Sequence, residues 1–114
     1  MDRVLRVFSL SMIILFPIAG CTYDIVLSDC DRRVIENADM CPYRGQKMEG
    51  CISYIHKFKW HEEYYFDFDN TCVDKLPNPV DCHGIPLVDL FADSTTLSTF
   101  LLEAERLGII GIEK

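Results

Sequence analysis

The sequence is poor in basic residues. Its 114 residues include 11 Lys and Arg against 18 Asp and Glu, which gives a formal net charge of -7. No cluster of Lys and Arg could neutralise successive phosphates, so the composition argues against nucleic-acid binding. The same shortage disfavours adsorption to anionic membrane surfaces. No apolar run after residue 20 is long enough to span a membrane.

Sequence patterns that carry catalysis are also missing. The chain contains no glycine-rich phosphate loop, no nucleophile elbow and no paired-histidine helix motif. A chain this short also rarely encloses a deep active site. His56, His61 and His83 follow no zinc-ligand spacing. We therefore expect a protein that is not an enzyme, that uses no cofactor and that binds no metal.

Residues 1–20 have the pattern of a secretory signal peptide. Arg3 and Arg6 form a basic start, residues 7–18 are apolar, and the Ala19-Gly20 pair offers the small residues of a cleavage site. The apolar run is too short to cross about 30 Å of hydrocarbon comfortably. Cleavage after this pair would leave a small acidic chain, which we expect to be secreted and extracellular.

A second interpretation of the same region is a bacterial lipobox. Ile18-Ala19-Gly20-Cys21 fits that pattern, in which the cysteine becomes acylated. Acylation would leave an odd number of cysteines in an export compartment. The residues that follow also contain no flexible Ser/Gly tether. Both features favour secretion over lipidation.

Six cysteines are the most informative feature of the exported part. In an oxidising compartment their default fate is disulfide formation, because cross-links stabilise a small domain by restricting its unfolded chain. Spacing alone does not choose among the many possible pairings. The expected disulfide cysteines are Cys21, Cys30, Cys41, Cys51, Cys72 and Cys82.

Alternating apolar and polar residues predict a β-hairpin in the middle of the chain. Residues 52–68 are rich in aromatic and β-branched side chains, which is typical of strands. Residues 67–70 have a turn composition, and residues 72–76 could return as the second strand. Residues 21–40 are mostly polar and are expected to form an extension of low order held by cysteines.

An amphipathic helix is predicted near the C-terminus. Between Leu97 and Leu107, apolar residues recur at intervals of three and four. The Asp93-Ser94 pair supplies helix-cap candidates, and Gly108 is a stop signal. Residues 108–114 are then left as an apolar tail.

A loop with a cysteine at each end, Cys41 and Cys51, precedes the predicted hairpin and the predicted C-terminal helix. The segments that carry a family resemblance are Cys41-Pro42-Tyr43-Arg44-Gly45, Gly50-Cys51, Tyr64-Tyr65-Phe66-Asp67, Cys82-His83-Gly84 and Phe91. Their order resembles the Kunitz (pancreatic trypsin inhibitor-like) domain over residues 41–107, and degenerate Kunitz-type salivary proteins of ticks look most similar. The resemblance implies a small disulfide-rich α+β fold, namely a Kunitz-like twisted β-hairpin with a C-terminal α-helix.

The chain departs from the family at the predicted helix. Leu97 and Leu101 stand where the Kunitz helix carries its last two cysteines. On this resemblance Cys41 and Cys72 lose their family partners. They would then pair with each other or with the cysteines of residues 21–40.

The resemblance also implies an inhibitory or partner-binding loop made of Gly50, Cys51, Ile52, Ser53 and Cys82. A disulfide between Cys51 and Cys82 would flank that loop. Because the residue after Cys51 is Ile52, no basic side chain is available for a trypsin-like pocket. The expected partner is an extracellular protein, a serine protease with an apolar specificity pocket being the inherited choice.

A second candidate partner surface is the run Lys57, Phe58, Lys59, Trp60 and His61. Tryptophan and basic residues are common anchors at protein interfaces. An ordinary strand with Trp60 in the core explains the run equally well. If this surface is the active one, the protein is a cysteine-rich secreted toxin or a channel or receptor ligand of a different fold. In either case we expect a monomer.

Overall fold

The computed structural model describes residues 21–23, 25–91 and 95–114. The predicted signal peptide and the cap candidates Asp93-Ser94 lie outside these residues. No helix in the described ranges is long and apolar enough to cross a bilayer. In chain order the elements are α1 (Asp29–Asn37), β1 (Cys41–Pro42), β2 (Ser53–Trp60), β3 (Glu63–Asn70), α2 (Leu87–Leu90), α3 (Thr96–Glu103) and β4 (Glu105–Ile112).

The four strands form one antiparallel sheet in the order β1-β4-β2-β3. The last strand of the described chain, β4, therefore lies in the middle, between β1 and β2. One helix precedes the sheet and one lies near the C-terminus, and three disulfides cross-link the chain. This confirms the predicted class, a small disulfide-rich α+β fold with a β-hairpin and a C-terminal helix.

The hairpin turns at a different place from the one predicted. His61 and Glu62 connect β2 to β3, and their φ angles of 52° and 64° match the two-residue turns that suit hairpins. Residues 67–70 are not a turn but the end of β3, and residues 72–76 form no strand. Pairing with β2 outweighs the weak strand preference of Asp and Asn.

Residues 29–37 form helix α1 where low order was predicted. The Ser28 hydroxyl caps the helix by accepting a hydrogen bond of 3.1 Å from the backbone N–H of Asp31. Val34 and Ile35 are buried on one side of the helix. Together with three residues from the rest of the chain they form the first core cluster, which contains Val34, Ile35, Ile55, Phe66 and Val80.

A glycine in β4 allows α1 to lie close to the sheet. A Cβ atom on Gly111 would come within 2.8 Å of Ile55 Cδ1 and 3.3 Å of Ile35 Cγ1. Any side chain here would push the helix away from the sheet or displace Ile55. We therefore define the α1 face of the sheet as the side covered by α1.

The opposite side, which we call the α3 face, carries a second core cluster. Its members are Trp60, Tyr65, Leu87 and Phe100. The predicted C-terminal helix is present, but it ends at Glu103, and Ala104 is already extended. Residues 105–112 continue as β4, so the predicted helical end at Leu107 and the separate tail are wrong. The isoleucines near the end of the chain pair within the sheet, which overrides their helical spacing.

All six cysteines form disulfides, as predicted. The pairs are Cys21–Cys41, Cys30–Cys82 and Cys51–Cys72. The Cys51–Cys82 bridge implied by the Kunitz resemblance is wrong. Cys51 and Cys72 lie just beyond the open end of the β2–β3 hairpin, whereas Cys82 lies against α1. A sulfur engaged in a disulfide cannot also be acylated, so the first pair fits secretion better than a lipoprotein.

Candidate functional site

The α3 face of the sheet is only half covered. Cross-strand partners point to the same face of an antiparallel sheet, and the register pairs Tyr54 with Asp69, His56 with Asp67 and Phe58 with Tyr65. Helix α3 covers the end that contains Phe58. The other half remains open as a groove.

This groove encloses a cavity of about 240 Å³. Strand β2 supplies its floor, β3 one side, and α3 its closed end. A proline-containing connection and β4 complete the rim. The lining side chains are Tyr54, His56, Phe58, Asp67, Asp69, Pro77, Pro79, Phe100, Leu101, Ala104 and Arg106.

Two half-buried carboxylates line the β3 side of the groove. Asp67 Oδ1 accepts a hydrogen bond of 3.1 Å from the backbone N–H of Asn78. Asp69 Oδ1 accepts a hydrogen bond of 2.8 Å from the backbone N–H of Asn70, and Asp69 Oδ2 accepts a longer bond of 3.4 Å from the Tyr54 hydroxyl. Neither carboxylate forms an ion pair with a described residue. Some oxygen lone pairs of these two carboxylates are therefore not used by hydrogen bonds or ion pairs within the described residues.

Burial makes the ionised form of Asp67 costly. It raises the pKa of Asp67 above its usual value, and the neighbouring charge of Asp69 acts in the same direction. The hydrogen bond from Asn78 opposes the shift, as do the weaker influences of His56 and Lys75.

His56 forms the middle of the floor. Burial, followed by the positive charge of Arg106, lowers the pKa of His56, while both aspartates partly oppose this. The ring is therefore mainly neutral at neutral pH. It stacks on Phe58 with 4.8 Å between ring centroids and 19° between the planes. Two stacked aromatic rings therefore line the floor of the groove.

The closed end of the groove is held by packed aromatic rings. Phe100 is 1% exposed and meets Phe58, Trp60 and Tyr65 edge to face at centroid distances of 5.4, 5.6 and 5.6 Å. The indole N–H of Trp60 donates a hydrogen bond of 3.0 Å to Glu103 Oε1. These contacts fix α3 against the sheet and keep the groove open beside it.

The predicted inhibitory loop is only partly assembled. Gly50, Cys51, Ile52 and Ser53 lie together at the surface, but Cys82 is bonded to Cys30 instead. The backbone N–H of Ile52 donates to Thr71 Oγ1 and its C=O accepts from the Thr71 N–H, both at 2.9 Å. The segment is rigid, but the polar backbone groups of Ile52 are already paired.

The run from Lys57 to His61 does not form one surface. Lys57 lies on the α1 face, where its ammonium contacts the Asp31 carboxylate at 2.9 Å and lies 4.3 Å from the centroid of the Tyr64 ring. Phe58 and Trp60 point to the α3 face, and Trp60 is 7% exposed. The strand interpretation, with Trp60 in the core, describes the structure.

Sequence reasoning did not identify the groove. Asp67 and Asp69 were assigned to a turn, although their spacing of two is also the spacing of side chains on one strand face. Their alternation with Phe66 and Phe68 was the available signal. Among the described residues, no three His, Cys, Asp or Glu side chains are grouped so that they could hold a metal ion.

The chain matches no protein-family model, no curated protein and no solved structure.

Proposed function

We propose that this protein is a secreted binding protein and that the groove on the α3 face holds its ligand. Three disulfides are typical of small exported domains, which need cross-links to supplement a limited core. The observation that carries the proposal is the open half of the sheet. Ligand sites are concave and combine apolar surface with a few directed polar groups, and the groove contains both kinds of surface.

The proposed activity is binding without catalysis. In the groove, the Tyr54 hydroxyl bonds to Asp69, and Asp67 bonds to backbone. These hydrogen bonds hold the two carboxylates in place as hydrogen-bond acceptors. Nucleophilic catalysis instead needs a nucleophile paired with a positioned base. The aromatic floor and the closed end at Phe100 also favour holding a molecule over transforming it.

A ligand screen followed by NMR tests this proposal. The disulfide-intact, isotope-labelled protein is mixed with small cationic, neutral and anionic compounds, and amide shifts are mapped. We expect at least one compound to shift resonances of the groove strands in a saturable manner. Leu101→Trp should fill the groove and abolish these shifts. Leu102→Trp, on the neighbouring residue that is 87% exposed and lies outside the groove, is the matched control.

Two outcomes contradict the proposal. Saturable shifts that survive Leu101→Trp place the ligand elsewhere. A screen in which no compound shifts the groove resonances removes the groove as a ligand site. Circular dichroism and thermal unfolding of both tryptophan variants show whether each remains folded.

Protease inhibition by the segment from Gly50 to Ser53, as the Kunitz resemblance implies, is a second candidate. One observation favours it: the segment is exposed and is fixed by the Cys51–Cys72 disulfide and by the Thr71 hydroxyl, which donates to the Gly50 carbonyl at 2.7 Å. Rigid loops bind proteases well because little ordering is needed. The paired backbone of Ile52 is the opposing feature.

A protease panel tests the second candidate. An inhibitor of this kind should act on a serine protease with an apolar specificity pocket, and Ile52→Arg should shift inhibition to a trypsin-like enzyme. Ile85→Arg places the same charge at an exposed isoleucine outside this segment and should have no such effect. Absence of inhibition across the panel would remove this candidate and leave the groove proposal intact.

A further inference from the structure

The charge and shape of the groove indicate the class of its ligand, and this inference rests on the proposed function. We propose that the groove binds a small organic cation, namely a protonated amine joined to an aromatic or apolar body. The ammonium would lie at the β3 side, between Asp67 and Asp69. The body would lie along the floor toward α3.

The two carboxylates are placed to share one cation. They occupy alternate positions of β3, roughly 7 Å apart along the strand, and both face the groove. An ammonium group has three N–H donors. It can therefore donate to both carboxylates, whose remaining lone pairs the described residues do not use with any cation.

The α1 face provides a comparison, because its buried carboxylate is paired with a cation of the same chain. There the ammonium of Lys57 lies 2.9 Å from Asp31 Oδ1 and donates to Oδ2 at 3.0 Å. The protein thus pairs Asp31 with its own cation, whereas no cation among the described residues forms an ion pair with Asp67 or Asp69. A ligand cation would neutralise the carboxylates of the groove, as the Lys57 ammonium neutralises Asp31 on the α1 face.

The floor of the groove suits the body of such a ligand. His56 and Phe58 line the floor as stacked rings, and Phe100 and Leu101 close one end. Aromatic rings pack well against the apolar part of a ligand. Because burial and Arg106 keep His56 mainly neutral, the floor does not repel an ammonium.

The position of Arg106 sets the direction of binding. Strand β2 lies between β3 and β4 in the sheet, so Arg106 and the two aspartates lie on opposite sides of the floor. The ammonium is drawn to the β3 side and repelled from the β4 side. The cavity volume of about 240 Å³ limits the ligand to a small molecule.

Calorimetry and NMR with three matched probes test the ligand class. The probes are phenethylammonium, phenethyl alcohol and phenylacetate, which share a phenyl body and differ in charge. With the disulfide-intact protein at neutral pH, we expect phenethylammonium to bind in the groove. The neutral alcohol should bind at least tenfold more weakly, and the anion should not bind measurably.

Charge-removing variants connect the affinity to the two carboxylates. Asp67→Asn and Asp69→Asn should each weaken phenethylammonium binding at least tenfold. Asp89→Asn makes the same change at an exposed residue of helix α2 that does not line the groove, and it should leave the affinity unchanged. Loss of amine binding in this control would overturn the assignment to the groove.

The other outcomes are equally decisive. If the alcohol or the anion binds in the groove as tightly as the amine, the ligand class is wrong and the proposed binding function stands. The class is also wrong if calcium ions alone saturate the groove and displace the amine. If none of the three probes and no compound of the wider screen shifts the groove resonances, both proposals fail.

Discussion

The two faces of the central sheet differ in how their carboxylates are paired. On the α1 face, helix α1 covers the strands, the Cys30–Cys82 disulfide anchors the helix, and Asp31 is paired with Lys57. On the α3 face, the covering helix stops short and leaves Asp67 and Asp69 beside an open cavity. One face is organised for stability, and the other retains groups that reduce stability. This difference is the basis on which we propose the α3 face as the binding face.

The largest test of this comparison is removal of the disulfide on the α1 face. Cys30→Ala with Cys82→Ala opens a loop closed across a sequence separation of 52 residues. The free energy of unfolding should fall by about 4 kcal/mol, because the unfolded chain becomes less restricted. Urea unfolding monitored by the fluorescence of the single tryptophan measures the loss.

A shorter disulfide provides the control for this loss. The Cys51–Cys72 pair spans a separation of 21 residues, so its removal should cost about 3 kcal/mol. If the shorter loop proves the more important one, the α1 face is not the main source of stability.

The ion pair on the α1 face gives the second test. Lys57→Met leaves the Asp31 carboxylate buried without a cation and should lower the free energy of unfolding by about 3 kcal/mol. Adding Asp31→Asn should recover much of that loss, since no buried charge remains. Chemical unfolding of the single and double variants measures both effects.

Lys59 offers a matched position two residues further along the same face. Its contact with Glu62 is 3.5 Å long and exposed, so Lys59→Met should change stability by about 0.5 kcal/mol or less. Equal losses at both lysines would show that the α1 face does not depend on compensation of a buried charge.

The third test concerns the α3 face, where removal of a charge should increase rather than decrease the free energy of unfolding. Asp67→Asn should raise the free energy of unfolding at neutral pH, because it removes an unpaired, half-buried charge; since solvent screens this half-exposed group, the gain should stay below about 1 kcal/mol. An amide oxygen can still accept the hydrogen bond from Asn78. Thermal unfolding of wild type, Asp67→Asn and the control Asp89→Asn gives the comparison.

The pH dependence of that gain has a defined direction. Since the pKa of Asp67 is raised in the folded state, ionisation destabilises the fold as pH rises from the ordinary aspartate value of 3.8 through the higher folded pKa. The advantage of Asp67→Asn should therefore shrink as pH falls through the same window. An advantage that persists at low pH would assign it to packing.

The smallest expected effect concerns His56. Its pKa is lowered in the folded state, so the folded protein binds fewer protons than the unfolded chain. Stability should then decrease as pH falls from the ordinary histidine value of 6.5 toward the lower folded value. His56→Gln should remove this slope, which we expect to be worth less than about 1 kcal/mol. His83→Gln, at an exposed histidine, is the control.

The parts of the fold that were predictable are those with a strong local signal. Pairing of all six cysteines follows from an export pattern, and the start of α3 follows from the apolar spacing that begins at Leu97. The strand around Ile55 was visible in its alternation. In contrast, helix α1 has only Val34 and Ile35 as fully buried apolar residues, too few for a clear periodic pattern.

The remaining errors have a common cause in long-range pairing. The turn at His61 and Glu62 contains neither Gly nor Asn, the usual signals for positive φ. Residues 105–112 have helical spacing at first, and only their position between two strands makes them β4. The groove depends on all of these features together, because the hairpin register brings Asp67 opposite His56. No local pattern contains that information.

The central position of β4 also has a consequence for synthesis. The chain leaves the ribosome from its N-terminus, so all six cysteines, the last being Cys82, emerge before β4 does. Until Ile112 has followed, β2 presents an unpaired edge, and α1 lacks the Gly111 surface on which it rests. If the cysteines are oxidised before translation is finished, disulfides therefore form in a domain that still lacks β4. Native pairing should depend on thiol exchange that continues until the central strand has been inserted.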